Sequence, residues 1–458
     1  MTKVSFTKDF FMYKIIMKII LYEKRILMKK NKKWIIVAII ILIIICLVSV
    51  LIISLNLRSK RAISKGNFPQ ASAEQGNNKS DESQSNEEVA QNDNNANDAN
   101  ANNNNGNSNS ENNSDVSTQS DSTLTQAVDT SNWDLTKVDI VYDTANVAVP
   151  VPKGYVASGA DGEHTVNTGF VIYEGTGEVT NENAWDESCT RNQWVWVPVP
   201  DVSRIYKTDS SGKKKSKLYS FSATGRTSHN NSYEPGVLSK YDNEKNGLQG
   251  MTKKRFLNEL QNEFEETIKS IEKYGGFYIG RYETGNLTSD EPVVRRMNTS
   301  IDSQNWYTAY TRIKRMSTGT NVRTGMIWGS LWDETLQWLV DSGNKTYAEM
   351  KDSTSWGNYY NSTFEYKNTS GSTATKSTSS STIIPSGSTE YSKANNIYDM
   401  AGNVYDWTLE GDGSSYRLIR GGYCLYSGSS HPASARSYCH PEEGGGNRYG
   451  VRAYFNIE

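Results

Sequence analysis

The chain has 458 residues, in which 49 Lys and Arg stand against 51 Asp and Glu for a formal net charge of −2. That length suffices for two or three domains. The basic residues cluster around one apolar run near the amino terminus and the rest is mixed in charge, which excludes a nucleic-acid partner held by a basic face.

The apolar run is the first element. From Ile35 to Leu55 almost every residue is Ile, Leu or Val and none is charged, and about 21 residues at 1.5 Å each match a hydrocarbon core of roughly 30 Å. The pattern predicts a single transmembrane helix over 34–56. Lys29, Lys30, Lys32 and Lys33 precede it, with Lys18, Lys24 and Arg25 further back, so residues 1–33 are expected to be a basic cytoplasmic tail and the carboxy-terminal part extracellular. The LRSKRAISKG that follows offers no small-residue cleavage site, which favours an uncleaved anchor over a secretory signal. Bulky Ile45 before Cys46 makes that cysteine an ordinary membrane-helix residue, and FFMYKIIMKIILYEKRIL reads as a basic segment suited to the membrane surface.

Residues 57–125 are dominated by Asn, Ser, Asp, Gln and Glu, with too few apolar side chains to offset chain entropy, and are expected to form a disordered linker. Aromatics and glycines return at Trp133, and 126–458 reads as one large ectodomain. Val138–Tyr155, Thr168–Gly177 and NQWVWVPVP (192–200) look like strands punctuated by Pro and Gly. Leu257, Leu260, Phe264, Ile268 and Ile271 recur at helical spacing between Thr252 and Tyr274, with Gly275 and Gly276 placed to end the helix. The strand GGFYIGRYET follows, then shorter helices over Asn305–Met316 and Leu331–Val340. A Ser, Thr and Gly tract from Asn368 to Ser388 is expected to be an exposed, mobile insertion.

The densest motif is NIYDMAGNVYDWT (396–408). Asp399 and Asp406 bracket a glycine turn, and a turn of this kind can aim carbonyl oxygens between two carboxylates, as a hard cation requires. The competing reading is a buried loop whose Asp, Asn and Gly satisfy local backbone groups.

Taken in order, the WVWVPV strand, GGFYIGRYETGN, GSLWDETLQWL, NIYDMAGNVYDWT, YRLIRGG, ASARS and NRYGVRAYF resemble the sulfatase-modifying-factor, or formylglycine-generating-enzyme-like, domain over roughly 140–458. The resemblance implies an α+β class with an irregular C-type-lectin-like fold and bound calcium. It places the calcium ligands on the side chains of Asp399 and Asp406 and the carbonyls of Gly402 and Val404. Asp406 stands where many relatives have the longer Glu.

Active relatives hold copper between two cysteines, one four residues after the Gly-Gly and the second five further on, because soft Cu(I) needs converging thiolates. Counted without gaps from Gly422, those positions are Tyr426 and His431 here. Cys424 and Cys439 lie elsewhere and leave three readings open: a disulfide, two separate thiols, or a displaced copper site that would make them catalytic. His431 and His440 beside them suggest a Cys2His2 metal site as a further alternative.

The expectation is therefore a membrane-anchored surface domain without the oxidase site, binding a glycan, peptide or envelope protein through exposed tyrosines, with Tyr423, Tyr426, Tyr438 and Tyr449 as candidates. The alternatives are a formylglycine-generating oxidase acting on a sulfatase cysteine, and a structural organiser of envelope proteins.

Overall fold

The computed structural model describes residues 128–235, 248, 250–286, 291–299, 304–316, 321–444 and 448–458, all within the compact unit Asn109–Glu458. The tail expected over 1–33, the anchor over 34–56 and the linker over 57–125 lie outside the described residues, as does Cys46. No helix among the described residues is long and apolar enough to cross a membrane.

Two sheets organise the unit, and helices pack around them. The larger is built from β1 (Tyr155–Ala157), β2 (Val171–Glu174), β3 (Gln193–Pro198), β4 (Gly276–Gly280), β5 (Val322–Met326) and the carboxy-terminal β10 (Ala453–Ile457). Its order is β5-β10-β4-β3-β2-β1, antiparallel throughout. β3 and β4 are buried along nearly their whole length, which is why QWVWVP and GFYIG are almost continuously apolar rather than alternating.

The smaller sheet positions the candidate sites. It comprises β6 (Tyr405–Gly411), β7 (Arg417–Arg420), β8 (Ser437–Cys439) and β9 (Tyr449–Val451) in the order β8-β7-β6-β9, with β6 and β9 parallel. Residues 421–436 therefore cross from β7 to β8 as one long connection beside the sheet.

Of the helices, α1 (Ala184–Thr190) carried no clear periodic signal, whereas α2 (Lys253–Tyr274) spans nearly the whole predicted interval. The Thr252 hydroxyl caps α2 by accepting from the Arg255 N–H, and Gly275 closes it in the left-handed conformation with φ of 83°. Its buried stripe begins at Phe256 rather than Leu257 and continues through Leu260, Phe264, Ile268 and Ile271, packing on β4 and β10. α3 (Trp306–Ile313) and α4 (Gly329–Asp341) fall where the shorter helices were expected. α4 is buried over its first eleven residues, so it serves as a central pillar and not as a half-exposed amphipathic helix.

The Ser, Thr and Gly tract is exposed over most of its length, as its composition suggests, but it is ordered and its carboxy-terminal end is buried. Phe364–Lys367 pairs with Thr373–Lys376 as a hairpin, and Ile384, Ser386 and Ser388 are buried. At that buried end the Ser386 hydroxyl and the Gly387 N–H donate to Asp399, an outcome composition alone does not reveal.

Candidate functional site

The turn between Asp399 and Asp406 is wholly buried and sits against Glu283 from the end of β4 and Arg452 from the link between β9 and β10. Asp399, Gly402 and Asn403 all have positive φ, at 59°, 75° and 62°. At Gly402 a Cβ would collide with the Asn358 backbone, so only glycine fits there.

The Asp399 carboxylate is fully engaged. Its Oδ2 accepts from the Ser386 hydroxyl at 2.9 Å and the Gly387 N–H at 2.8 Å, and its Oδ1 from the Ser392 hydroxyl at 2.7 Å. Asp406 differs: neither oxygen accepts a hydrogen bond, and the neighbouring charge is Arg452 Nε, 3.4 Å from Oδ2. The rest of the Arg452 guanidinium donates to the carbonyls of Gly280, Tyr398 and Asp399 at 2.9–3.1 Å. Glu283 accepts from Asn403 Nδ2 at 2.6 Å.

Burial pushes the Asp406 carboxyl up to about 7, with Arg452 working against it. Burial, then Asp399 and Asp406, raise Glu283 well above the carboxylate range. Glu283 and Asp406 thus share one guanidinium, and their raised values mean that protons carry part of the excess charge.

The donor set implied for calcium does not fit this arrangement. Asp399, Gly402, Val404 and Asp406 are brought into one turn as expected. Asp399 nevertheless has no free oxygen, and the cation facing Asp406 is Arg452. A calcium ion needs six to eight oxygen ligands, which a set with one free carboxylate does not offer. No group of three or more His, Cys, Asp or Glu among the described residues is placed to hold a metal ion. That excludes the Cys2His2 arrangement as well: His431 packs on Tyr426, while His440 packs on Tyr416.

A second buried charge cluster joins α4 to the small sheet. Arg420 pairs with Asp333 at 2.8 Å and with Glu410 at 3.4 Å; Arg436 contacts both of the same carboxylates, at 2.6 Å to Glu410. Glu234 lies beside it, accepting from the Gly329 and Ser330 N–H groups at the start of α4 at 2.8 and 2.7 Å. Burial and the nearby Glu410 push Glu234 up to about 7. Sequence reading missed Glu234, Glu283, Asp333 and Glu410 as partners. The only signal available was a charged residue inside an otherwise apolar stretch, as in GRYET and GSLWDETLQWL.

The two downstream cysteines are separate, free thiols. Cys424 is buried and donates to the Ser381 carbonyl at 3.1 Å; Cys439 donates to Glu443 Oε2 at 3.3 Å. Burial pushes both thiols up to about 12, so in the metal-free protein neither is the thiolate that nucleophilic attack requires.

Where the copper cysteines of active relatives were expected, Tyr426 and His431 stack with ring centroids 4.1 Å apart and planes 30° from parallel. Tyr405 lies 6.3 Å from the Tyr426 ring and 6.1 Å from His431, and Tyr423 lies 5.8 Å from Tyr405. Burial lowers the His431 imidazole below its ordinary range, so the ring in the stack is neutral at pH 7. Tyr426 is 41 % exposed and Leu425 50 % exposed. Tyr360, also exposed, is held alongside by its N–H to the Tyr426 carbonyl at 2.9 Å. The result is a shelf of rings on a buried base.

The four candidate tyrosines do not converge. Tyr426 faces solvent, and Tyr423 is half-buried in the same shelf. Tyr438 is exposed but stands apart with Tyr416. Tyr449 belongs to the core, 7 % exposed, with its ring on Trp407 and its hydroxyl donating to Glu443 at 3.2 Å. It opens β9, and strand pairing beside β6 draws its ring inward.

Residues 333–457 match the family model described as sulfatase-modifying factor enzyme 1-like domain. No curated protein matches the chain. Among solved structures, the Treponema denticola variable protein 1 is similar at 14 % identity, covering 40 % of this chain and 85 % of that one, with a TM-score of 0.27. The last nine residues of α4, the Asp399–Asp406 turn, the Arg420-Gly421-Gly422 strand end and the closing Gly450-Val451-Arg452 all fall inside the matched residues, and this part of the chain is similar to a sulfatase-modifying factor enzyme 1-like domain.

Proposed function

We propose that this protein is a membrane-anchored surface module whose sulfatase-modifying-factor-like domain binds a ligand and does not oxidise a substrate cysteine. Residues 34–56 anchor it, the amino terminus is cytoplasmic, the 57–125 linker spaces the domain from the bilayer, and the domain faces the outside without calcium or copper. The observation that carries this reading is the Tyr426–His431 stack at the positions where the oxidase needs its two thiols. The thiols that are present support it, because Cys424 and Cys439 point to different acceptors and burial keeps both protonated. An aromatic shelf on a rigid base offers contact area at small entropic cost.

The test is turnover. The full-length protein is incubated with Cu(I), oxygen and a peptide carrying Cys-x-Pro-x-Arg, and the peptide is examined by mass spectrometry. The expected result is no aldehyde. Aldehyde formation that disappears in Cys424→Ser or Cys439→Ser would overturn the proposal in favour of the oxidase.

A further inference from the structure

The ligand-facing shelf carries a charge that its surroundings leave unanswered. Arg448 is exposed immediately before β9, and its carbonyl accepts from the Tyr405 N–H at 2.9 Å, which fixes its backbone at the shelf. Burial raises the hydroxyls of Tyr405, Tyr423 and Tyr449, and the nearby Arg448 guanidinium opposes that rise in all three. Arg448 makes no ion pair among the described residues. Glu443 is already accepting from Cys439 and from the hydroxyl of the neighbouring Tyr449.

The turn that follows Tyr426 is rich in hydroxyls. Ser427, Ser429 and Ser430 are joined in one turn, with Ser427 donating to Ser430 Oγ at 2.8 Å. Next to this turn in sequence are the exposed Leu425 and the Tyr426 ring, which has one face backed by His431. Three of the eight exposed large apolar residues among those described, Tyr360, Leu425 and Tyr426, fall in this single patch, so it differs from the scattered apolar residues of an ordinary surface. A flat aromatic face, a turn of hydroxyls and a guanidinium with no ion pair among the described residues match a ligand with an apolar ring face, hydroxyls and a carboxylate.

Resting on the binding-module reading, we infer that the shelf formed by Tyr423, Tyr426, His431 and Arg448 binds a saccharide that carries a carboxylate. The sugar ring lies against Tyr426 and the carboxylate accepts from Arg448.

Isothermal titration of the full-length protein tests this with a galacturonic acid oligomer, a sialyl-lactose, a neutral galactose oligomer of equal length and a Glu-rich peptide. At least one acidic saccharide is expected to bind, and the neutral oligomer to bind at least about tenfold more weakly. Arg448→Met should abolish that preference. Tyr426→Ala should weaken binding about tenfold or more, while Tyr142→Ala, on an exposed strand far from the shelf in sequence, should leave it unchanged. Both shelf side chains are exposed, so an unchanged melting temperature verifies that the variants fold. Equal binding of acidic and neutral oligomers, an acid preference that survives Arg448→Met, or no binding of either acidic saccharide overturns the inference. Binding of the Glu-rich peptide alone also overturns it yet leaves the binding-module reading standing, which falls only to copper-dependent turnover.

Discussion

The Asp399–Asp406 turn and the 423–431 loop are separated by one strand pair, and they are opposites. The turn is buried, strained toward positive φ at three positions and locked by hydrogen bonds from Ser386, Gly387 and Ser392 and by one that Asn403 donates to Glu283. The loop presents exposed rings on a buried base and uses its hydroxyls mainly on itself. The motif that is densest in sequence is thus the foundation, and the less patterned segment after it is where a ligand can reach the protein. Buried turns need specific residue types to satisfy backbone and charge, which leaves a strong pattern; an exposed loop needs few.

The contrast can be broken most severely at Arg452. Replacing it with Met leaves Glu283 and Asp406 buried without their guanidinium and the Gly280, Tyr398 and Asp399 carbonyls without its donors, and the expected loss is about 3–5 kcal/mol of stability by urea denaturation. A loss below about 1 kcal/mol would mean the cluster is not the foundation described. Gly402→Ala should come next, at about 1–3 kcal/mol, because it adds strain at positive φ and a collision with Asn358.

The same foundation predicts a pH dependence. Asp406 and Glu234 are both raised to about 7 in the folded protein, from ordinary values of 3.8 and 4.5. The folded state therefore binds more protons than the unfolded one between those limits, so the stability they contribute is complete below about 4 and is lost as pH rises through 7. Asp333, lowered below its ordinary 3.8 chiefly by Arg436 and Arg420 against the effect of burial, acts in the opposite sense and loses its contribution as pH falls below that value. Melting temperature should decline between pH 5 and 8, and Asp406→Asn should flatten the decline. At the loop the effect on stability should be small: Tyr426→Ala is expected to change it by no more than about 0.5 kcal/mol. Smallest of all should be the response to calcium, with melting unchanged by added calcium or by EDTA, since Asp399 has no oxygen to give.

Much of this architecture was readable in advance. Thr252 and Gly275 bound α2 where their capping chemistry requires, and the apolar strands around Trp194, Trp196 and Tyr278 form the centre of the large sheet. The motif order pointed to the domain that residues 333–457 match. What could not be read was partnership across long separations. Asp399 is satisfied by Ser386 and Ser392, and Arg436 by Asp333 and Glu410, and no spacing rule encodes such pairs. For the same reason the buried end of the 368–388 tract, from Ile384 to Ser388, looked exposed, and Tyr449 looked as accessible as Tyr426. Exposure depends on which strand pairs with which, and the parallel insertion of β9 beside β6 carries no local signature.

The most direct measurement of the central claim is photo-crosslinking in cells that make the full-length protein, with a benzophenone amino acid placed at position 426 and, separately, at position 142. Both positions are exposed, so accessibility alone does not distinguish them. The account predicts adducts to a defined surface ligand from position 426 and none from position 142. Equal labelling from both positions, or labelling from 142 alone, would contradict it.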